Sequence, residues 1–251
     1  MSKIFLTIAS LMLVALPLKA ASADFVDTDS PEAYIPSVEL HGGVGVSTVF
    51  QNYRSEIDGC SDFFLTPGCQ GIVGATVELP VRNFFSVGTG LDFAFSRYTW
   101  SMTVVDASKG TLTSIYSRNN YTSIDIPVYM SFKFNLGTRV RWVNELGFYL
   151  SQGIGGTSKY KAYVSSTNSL GQSQVTSNEL ERKYYKDSDP LINGVNRTDY
   201  GLHLATGMLF NGHWSVKAVM RSGFCDMARN HGVLDVRLRN FSASLRLGYC
   251  F

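Results

Sequence analysis

The chain has 251 residues, of which 45% are hydrophobic, 17% charged and 13% aromatic, with a mean hydropathy of +0.02. It is too apolar for a disordered chain, and beyond its N-terminus no run reaches the roughly 18 apolar residues a membrane helix needs. A net charge of +2 supplies no electrostatic footprint for nucleic acid, so no nucleic-acid partner is expected.

Lys3 is followed by an apolar run from Ile4 to Leu16 and by Ala21-Ser22-Ala23. A basic start, a short apolar centre and an A-x-A site describe a cleaved secretory signal over residues 1–23. The run is too short for an anchor helix, and Pro17 interrupts its end. Lys3 and Lys19 leave with the signal, so the mature chain carries no net charge. Residues 24–36 are expected to lie in the periplasm, and 37–251 to form one domain.

Helical periodicity is nearly absent from that domain. Eight alternating segments rich in Val, Phe, Tyr, Ile and Thr read as strands, about 37–49, 71–80, 84–101, 120–134, 139–154, 198–210, 213–223 and 235–251. Three connections are tight: Pro80–Asn83, Asn135–Thr138 and Asn211-Gly212, the last a preferred hairpin pair. Four are long and polar, about 50–70, 102–119, 155–197 and 224–234. The two kinds alternate strictly, which puts all short turns at one end. The expected fold is all-β, an eight-stranded antiparallel up-and-down transmembrane barrel integral to the outer membrane, embedded in its lipid.

The two strand faces set its polarity. In the third strand Phe85, Val87, Leu91, Phe93 and Phe95 oppose Ser86, Gly88, Gly90, Asp92 and Ala94. A solvated wall would carry many more Lys and Glu. Small residues with sparse charges suit the interior of a narrow barrel, so the large residues face lipid. Phe85, Phe134, Trp142, Phe210, Trp214, Tyr249 and Phe251 cluster at the tight-turn end, as an interfacial girdle would.

The inward charged positions are Glu39, His41, Glu78, Asp92, Asp125, Lys133, Arg141, Glu145, His203, Lys217, Arg221 and Arg246. Five acids, five bases and two histidines are expected to pair into a network that plugs the lumen. No catalytic, cofactor-binding or metal residue is assigned. Three alternatives stay open. One is a small channel or ligand-transport barrel. Another is an outer-membrane hydrolase or protease using Asp226, His231 and Asp235 in the fourth loop. The last is a soluble lipocalin-like binder with its apolar face inward.

Cys60 and Cys69, beside turn residues in the first long loop, are expected to form a disulfide. Cys225 and Cys250 fall at opposite ends of the barrel, too far apart to bridge. In the third loop Tyr160, Tyr163, Tyr184 and Tyr185 sit among lysines. Such a loop suits recognition of a surface ligand or partner protein, but Thr157–Ser165 and Glu179–Tyr185 read better as extensions of the flanking strands.

The segment Tyr121-Thr122-Ser123-Ile124-Asp125-Ile126-Pro127-Val128-Tyr129-Met130 resembles a strand of the PorT-type outer-membrane β-barrel family of Bacteroidota. The ending from Arg239 to Phe251 resembles its closing strand, and Asp199-Tyr200-Gly201-Leu202 its sixth-strand entry. The resemblance covers the strands and not the loops. It implies an integral barrel and fixes no activity. Tyr249 and the terminal Phe251 also look like the insertion signal read by barrel-assembly machinery, although Cys250 departs from the usual polar residue there.

Overall fold

Each of the eight alternating segments forms a strand in the computed structural model, which describes residues 25–29, 34–51, 57–167, 173–186, 194–228 and 237–251. The expected signal segment, residues 1–23, lies outside the described residues. The strands are β1 (Ser37–Phe50), β2 (Cys60–Arg82), β3 (Phe85–Asp106), β4 (Thr111–Asn135), β5 (Val140–Thr167), β6 (Ser173–Lys183), β7 (Thr198–Phe210), β8 (Trp214–Gly223) and β9 (Arg239–Cys250). Hydrogen bonding runs in the order β4-β3-β2-β1-β9-β8-β7-β5, and β4 pairs with β5 to close the ring. Eight antiparallel strands therefore form a barrel without an open edge, and β6 attaches to the upper part of β5. Among the described residues no helix is long and apolar enough to cross a membrane; the chain crosses with strands.

Burial alternates along every strand of the ring. Val44, Leu91, Phe93, Phe95, Val128, Phe148, Leu150, Leu245 and Leu247 are exposed on the outside. Ser86, Asp92, Ser131, His203 and Ser215 are buried inside. A soluble binder would reverse this pattern. The apolar exterior forms the lipid-facing band of a transmembrane barrel. At the tight-turn end Trp214 meets Tyr249 with centroids 5.1 Å apart, and Phe134 meets Trp142 at 5.6 Å. The Asn211-Gly212 turn takes φ of 51° and 75°, the left-handed pair that favours these two residues. The segment 25–29 crosses this end: Asn135 N–H donates to Phe25 O at 2.9 Å and Asn83 N–H to Asp29 O at 3.2 Å.

The opposite end departs from the sequence reading. β2 to β5 run well past the predicted boundaries, so the first two long loops shrink. The second becomes a turn after Asp106, whose carboxylate accepts from Ser108 Oγ at 2.5 Å. That hydroxyl, with the neighbouring Lys109, holds the Asp106 carboxyl below its usual range. The third loop is a hairpin, β5–β6, as the strand-extension reading expects. With upper β2, β3 and β4 it forms a five-stranded wall above the ring.

The Cys60–Cys69 disulfide is contradicted. Both cysteines lie on β2 and all four are free thiols. Nine residues of extended chain separate them by about 30 Å, against the roughly 7 Å that a bridge tolerates. Turn residues flank both, but Pro67 to Gln70 form a register shift within the strand and not a reversal.

Candidate functional site: a sealed lumen

The barrel interior is filled in two layers. Alternation aims side chains inward every second residue, and the lower layer holds the charges. Arg221 on β8 is its centre. Its NH1 donates to Asp125 Oδ2 at 2.8 Å, its NH2 pairs with Asp92, and its Nε donates to His203 Nδ1 at 3.2 Å. Arg246 NH1 donates to Asp92 Oδ2 at 2.9 Å, and His41 Nε2 lies 2.9 Å from Asp92 Oδ1. Nearer the tight turns, Lys217 Nζ donates to Glu39 Oε2 at 2.8 Å and Glu145 Oε1 at 2.6 Å. Lys133 pairs with Glu78 at 2.6 Å. Each contact joins different strands, so the charges cross-link the ring from within.

The bonds fix the state of one imidazole. A guanidinium has donors only, so His203 Nδ1 must accept. The ring is the Nε2–H tautomer and donates to Glu145 Oε2 at 3.2 Å. Space for these groups comes from inward glycines. A Cβ at Gly74 would lie 2.3 Å from Asp92 Oδ1, and one at Gly248 2.5 Å from Glu39 Oε1.

Of the predicted lumen residues, Glu39, His41, Glu78, Asp92, Asp125, Glu145, His203, Lys217, Arg221 and Arg246 are buried, and Lys133 is largely so. Arg141 differs. It shares the inward parity of Val143 and Glu145 but is exposed at the turn-end rim, on the lip of a cavity of about 190 Å³. Among the described residues it joins none of the lumen ion pairs. The sequence reading omitted Asp199, which is 1% exposed. Tyr149 OH donates to its Oδ2 at 2.8 Å and Asn240 Nδ2 at 3.1 Å. Its parity with Gly201 and His203 was the signal that could have found it. The expected five-to-five balance thus becomes six buried acids against four bases, with Asp199 held by neutral donors.

The upper layer is apolar and was not foreseen. Directly after β6, Tyr184 and Tyr185 turn into the mouth. Tyr184 stacks on Tyr121 with centroids 4.9 Å apart and meets Tyr185 edge-on at 4.8 Å. Tyr98, Trp100, Tyr160, Val195, Met227 and Leu238 join this cluster. The third and fourth loops lock together through Asn196 N–H to Met227 O at 2.7 Å. Of the lysine-flanked tyrosines only Tyr163 remains outside, against Tyr116 at 6.1 Å. Between the layers remains a space of about 30 Å³.

Asp226 accepts backbone N–H bonds from Ala228 at 3.0 Å and Leu238 at 2.9 Å, which fastens its loop. His231 and Asp235 lie outside the described residues. Among those described, neither lumen imidazole has a Ser, Thr or Cys hydrogen-bond partner, and no His, Cys, Asp or Glu group has the arrangement to hold a metal ion.

A closed eight-stranded ring with an apolar exterior and a filled interior defines an integral outer-membrane β-barrel. The chain belongs to the outer membrane protein beta-barrel domain family, whose model matches residues 34–229. Among solved structures it is similar to Ail, the attachment invasion locus protein of Yersinia pestis, at 14% identity, covering 86% of this chain and 99% of that one with a TM-score of 0.35. It is similar to Neisserial surface protein A at 12% identity, covering 85% and 97% with a TM-score of 0.33. The N-terminal barrel of Pseudomonas aeruginosa OprF gives 10% identity, 86% and 97% coverage and a TM-score of 0.28. No residue role is carried over from these structures. A comparison with curated proteins found no match.

Proposed function

We propose that this barrel is a sealed, non-enzymatic scaffold that displays its upper wall and loops outside the cell, where they meet a surface ligand or partner protein. The observation that carries this reading is the double occlusion of the lumen: a charged layer around Arg221 lies below an aromatic layer around Tyr184. Residues 1–23 serve as the export signal, and Tyr249 with Phe251 as the signal for barrel-assembly machinery. Strand likeness supports kinship with the PorT-type group of Bacteroidota. A role in secretion does not follow, because the loops do not match.

Planar-bilayer recording tests the reading. The purified chain is expected to give no steady conductance. Y184A/Y185A alone also stays silent, since the charged layer remains. Adding Arg221→Ala to that pair opens a measurable current. Steady ion flow through the unmodified protein would overturn the proposal and favour the channel alternative.

A further inference from the structure

Above the apolar band the outward face of the wall changes character. Phe93 and Phe95 on β3 give way to Arg97, and Ile126 and Ile124 on β4 give way to Asn120 and Arg118. Strand pairing sets the new residues side by side. Arg97 faces Asn120, Thr99 faces Arg118, Arg118 faces Lys159 and Tyr116 faces Lys161. β6 adds Lys183 opposite Thr157, with Glu181 opposite Lys159 and Glu179 opposite Lys161. Five exposed cations therefore share this face with three carboxylates, the two glutamates and, higher on β2, Asp62. The glutamates engage Lys159, at 3.1 Å, and Lys161. Among the described residues no carboxylate lies within ion-pair distance of Arg97, Arg118 or Lys183.

The face is also hollowed. A cavity of about 390 Å³ opens beside Arg97, Asn120 and Thr157, with Phe95 at its lower side. A second, of about 530 Å³, lies higher between Thr99, Tyr116, Arg118, Lys159 and Lys161. Both are on the outer wall, so the sealed lumen does not use them.

We propose that this face holds the phosphate groups of an outer-leaflet glycolipid, its acyl chains lying along the apolar band below. Charge complementarity indicates an anion. Guanidinium groups match phosphate with paired N–H donors, and Thr99 and Tyr116 offer hydroxyls to a sugar. Height selects the occupant. Arg97 is one side-chain step above Phe95, where the headgroup layer of a bilayer meets its hydrocarbon. A ligand gripped there has its apolar part against the barrel. The proposal rests on outer-membrane placement and not on lumen occlusion, so the conductance result leaves it standing or falling separately.

The test uses the full chain in detergent and counts bound lipid by native mass spectrometry. The probes are bisphosphorylated lipid A, the same lipid stripped of both phosphates, and inorganic phosphate as a competitor. About tenfold tighter binding of the phosphorylated form is expected, since two charge-assisted contacts differ between the probes. R97Q/R118Q should bring that preference close to one, while K109Q/K186Q retains it. Heat-modifiable migration verifies that each variant is folded, and R118Q alone carries the test should the double variant not fold. Equal binding of both lipids, or an unchanged preference in a folded R97Q/R118Q or R118Q variant, would overturn the proposal. Displacement of the lipid by millimolar inorganic phosphate would overturn it too, by revealing a plain anion site.

Discussion

Asp92 is fully buried, yet it meets three cationic or polar partners: Arg221, Arg246 and His41. Removing one partner of a buried ionic cluster leaves the others desolvated and unmatched, which costs about 3–5 kcal/mol. Asp92→Ala is expected to lower the unfolding free energy measured by urea titration by that amount, because two guanidiniums lose their shared carboxylate. Arg141→Ala is expected to fall within about 0.5 kcal/mol of the unmodified protein, as exposed substitutions do. Equal losses for the two would refute the separation of rim from core. At this scale the sequence was informative, since period-two alternation assigned nearly every lumen charge to the correct face. Arg141 was misplaced because parity tells which way a side chain points and not how far from the rim it stands, whereas Asp199 carries the inward parity and was passed over at the entry of its strand.

The elements were legible in type and order, and less so in length. Above the apolar band both strand faces meet water or protein, so the greasy-against-small contrast that marked the transmembrane part fades. The 102–119 segment, six of whose 18 residues are Ser or Thr, reads as loop although β3 and β4 continue through most of it. Two irregularities hid the rest. In β5, Gly153 stands opposite Ser123 and Gly155 opposite Thr122, so Ile154 is an extra residue that reverses the inward parity beyond it. In β2 the shift between Pro67 and Gln70 does the same. The β5 bulge also admits the mouth seal, for a Cβ at Gly153 would lie 2.2 Å from Tyr185 Cζ. Gly153→Val should expel Tyr185 and speed trypsin cleavage at Lys186 and Arg197 several-fold in reconstituted protein. Gly155→Ala, with open space around its Cβ, should leave the cleavage rate unchanged.

For the whole molecule, closure explains what composition alone obscures. A chain of near-zero mean hydropathy crosses the membrane because most of the large apolar residues of its transmembrane part stand on the outside of a ring. The low charged fraction has the same origin, as few transmembrane positions meet bulk water. The aromatic seal was the part least visible in the sequence. Tyr184 and Tyr185 sit in a polar stretch and become buried only because distant loops converge on the same mouth. Such convergence is a property of the closed ring and not of any local pattern.

The join between β1 and β9 has a kinetic consequence. It unites the first and last strands of the chain, from Glu39 opposite Cys250 to Phe50 opposite Arg239. The most distant pairing in sequence is thus the step that completes the ring, and chain entropy places such pairings late. Several lumen ion pairs bridge that join: Lys217 to Glu39 from β8 to β1, and Arg246 to Asp92 from β9 to β3. They cannot exist before the ring closes, so they act as a ratchet on escape and not as an aid to assembly. Contacts absent from the transition state govern unfolding rates. Arg246→Met should accordingly speed urea-driven unfolding more than it slows insertion into vesicles, a contrast that parallel stopped-flow measurements of both limbs would reveal. In a membrane exposed to the outside world, the lifetime of the folded state is then set by charges that lipid never touches.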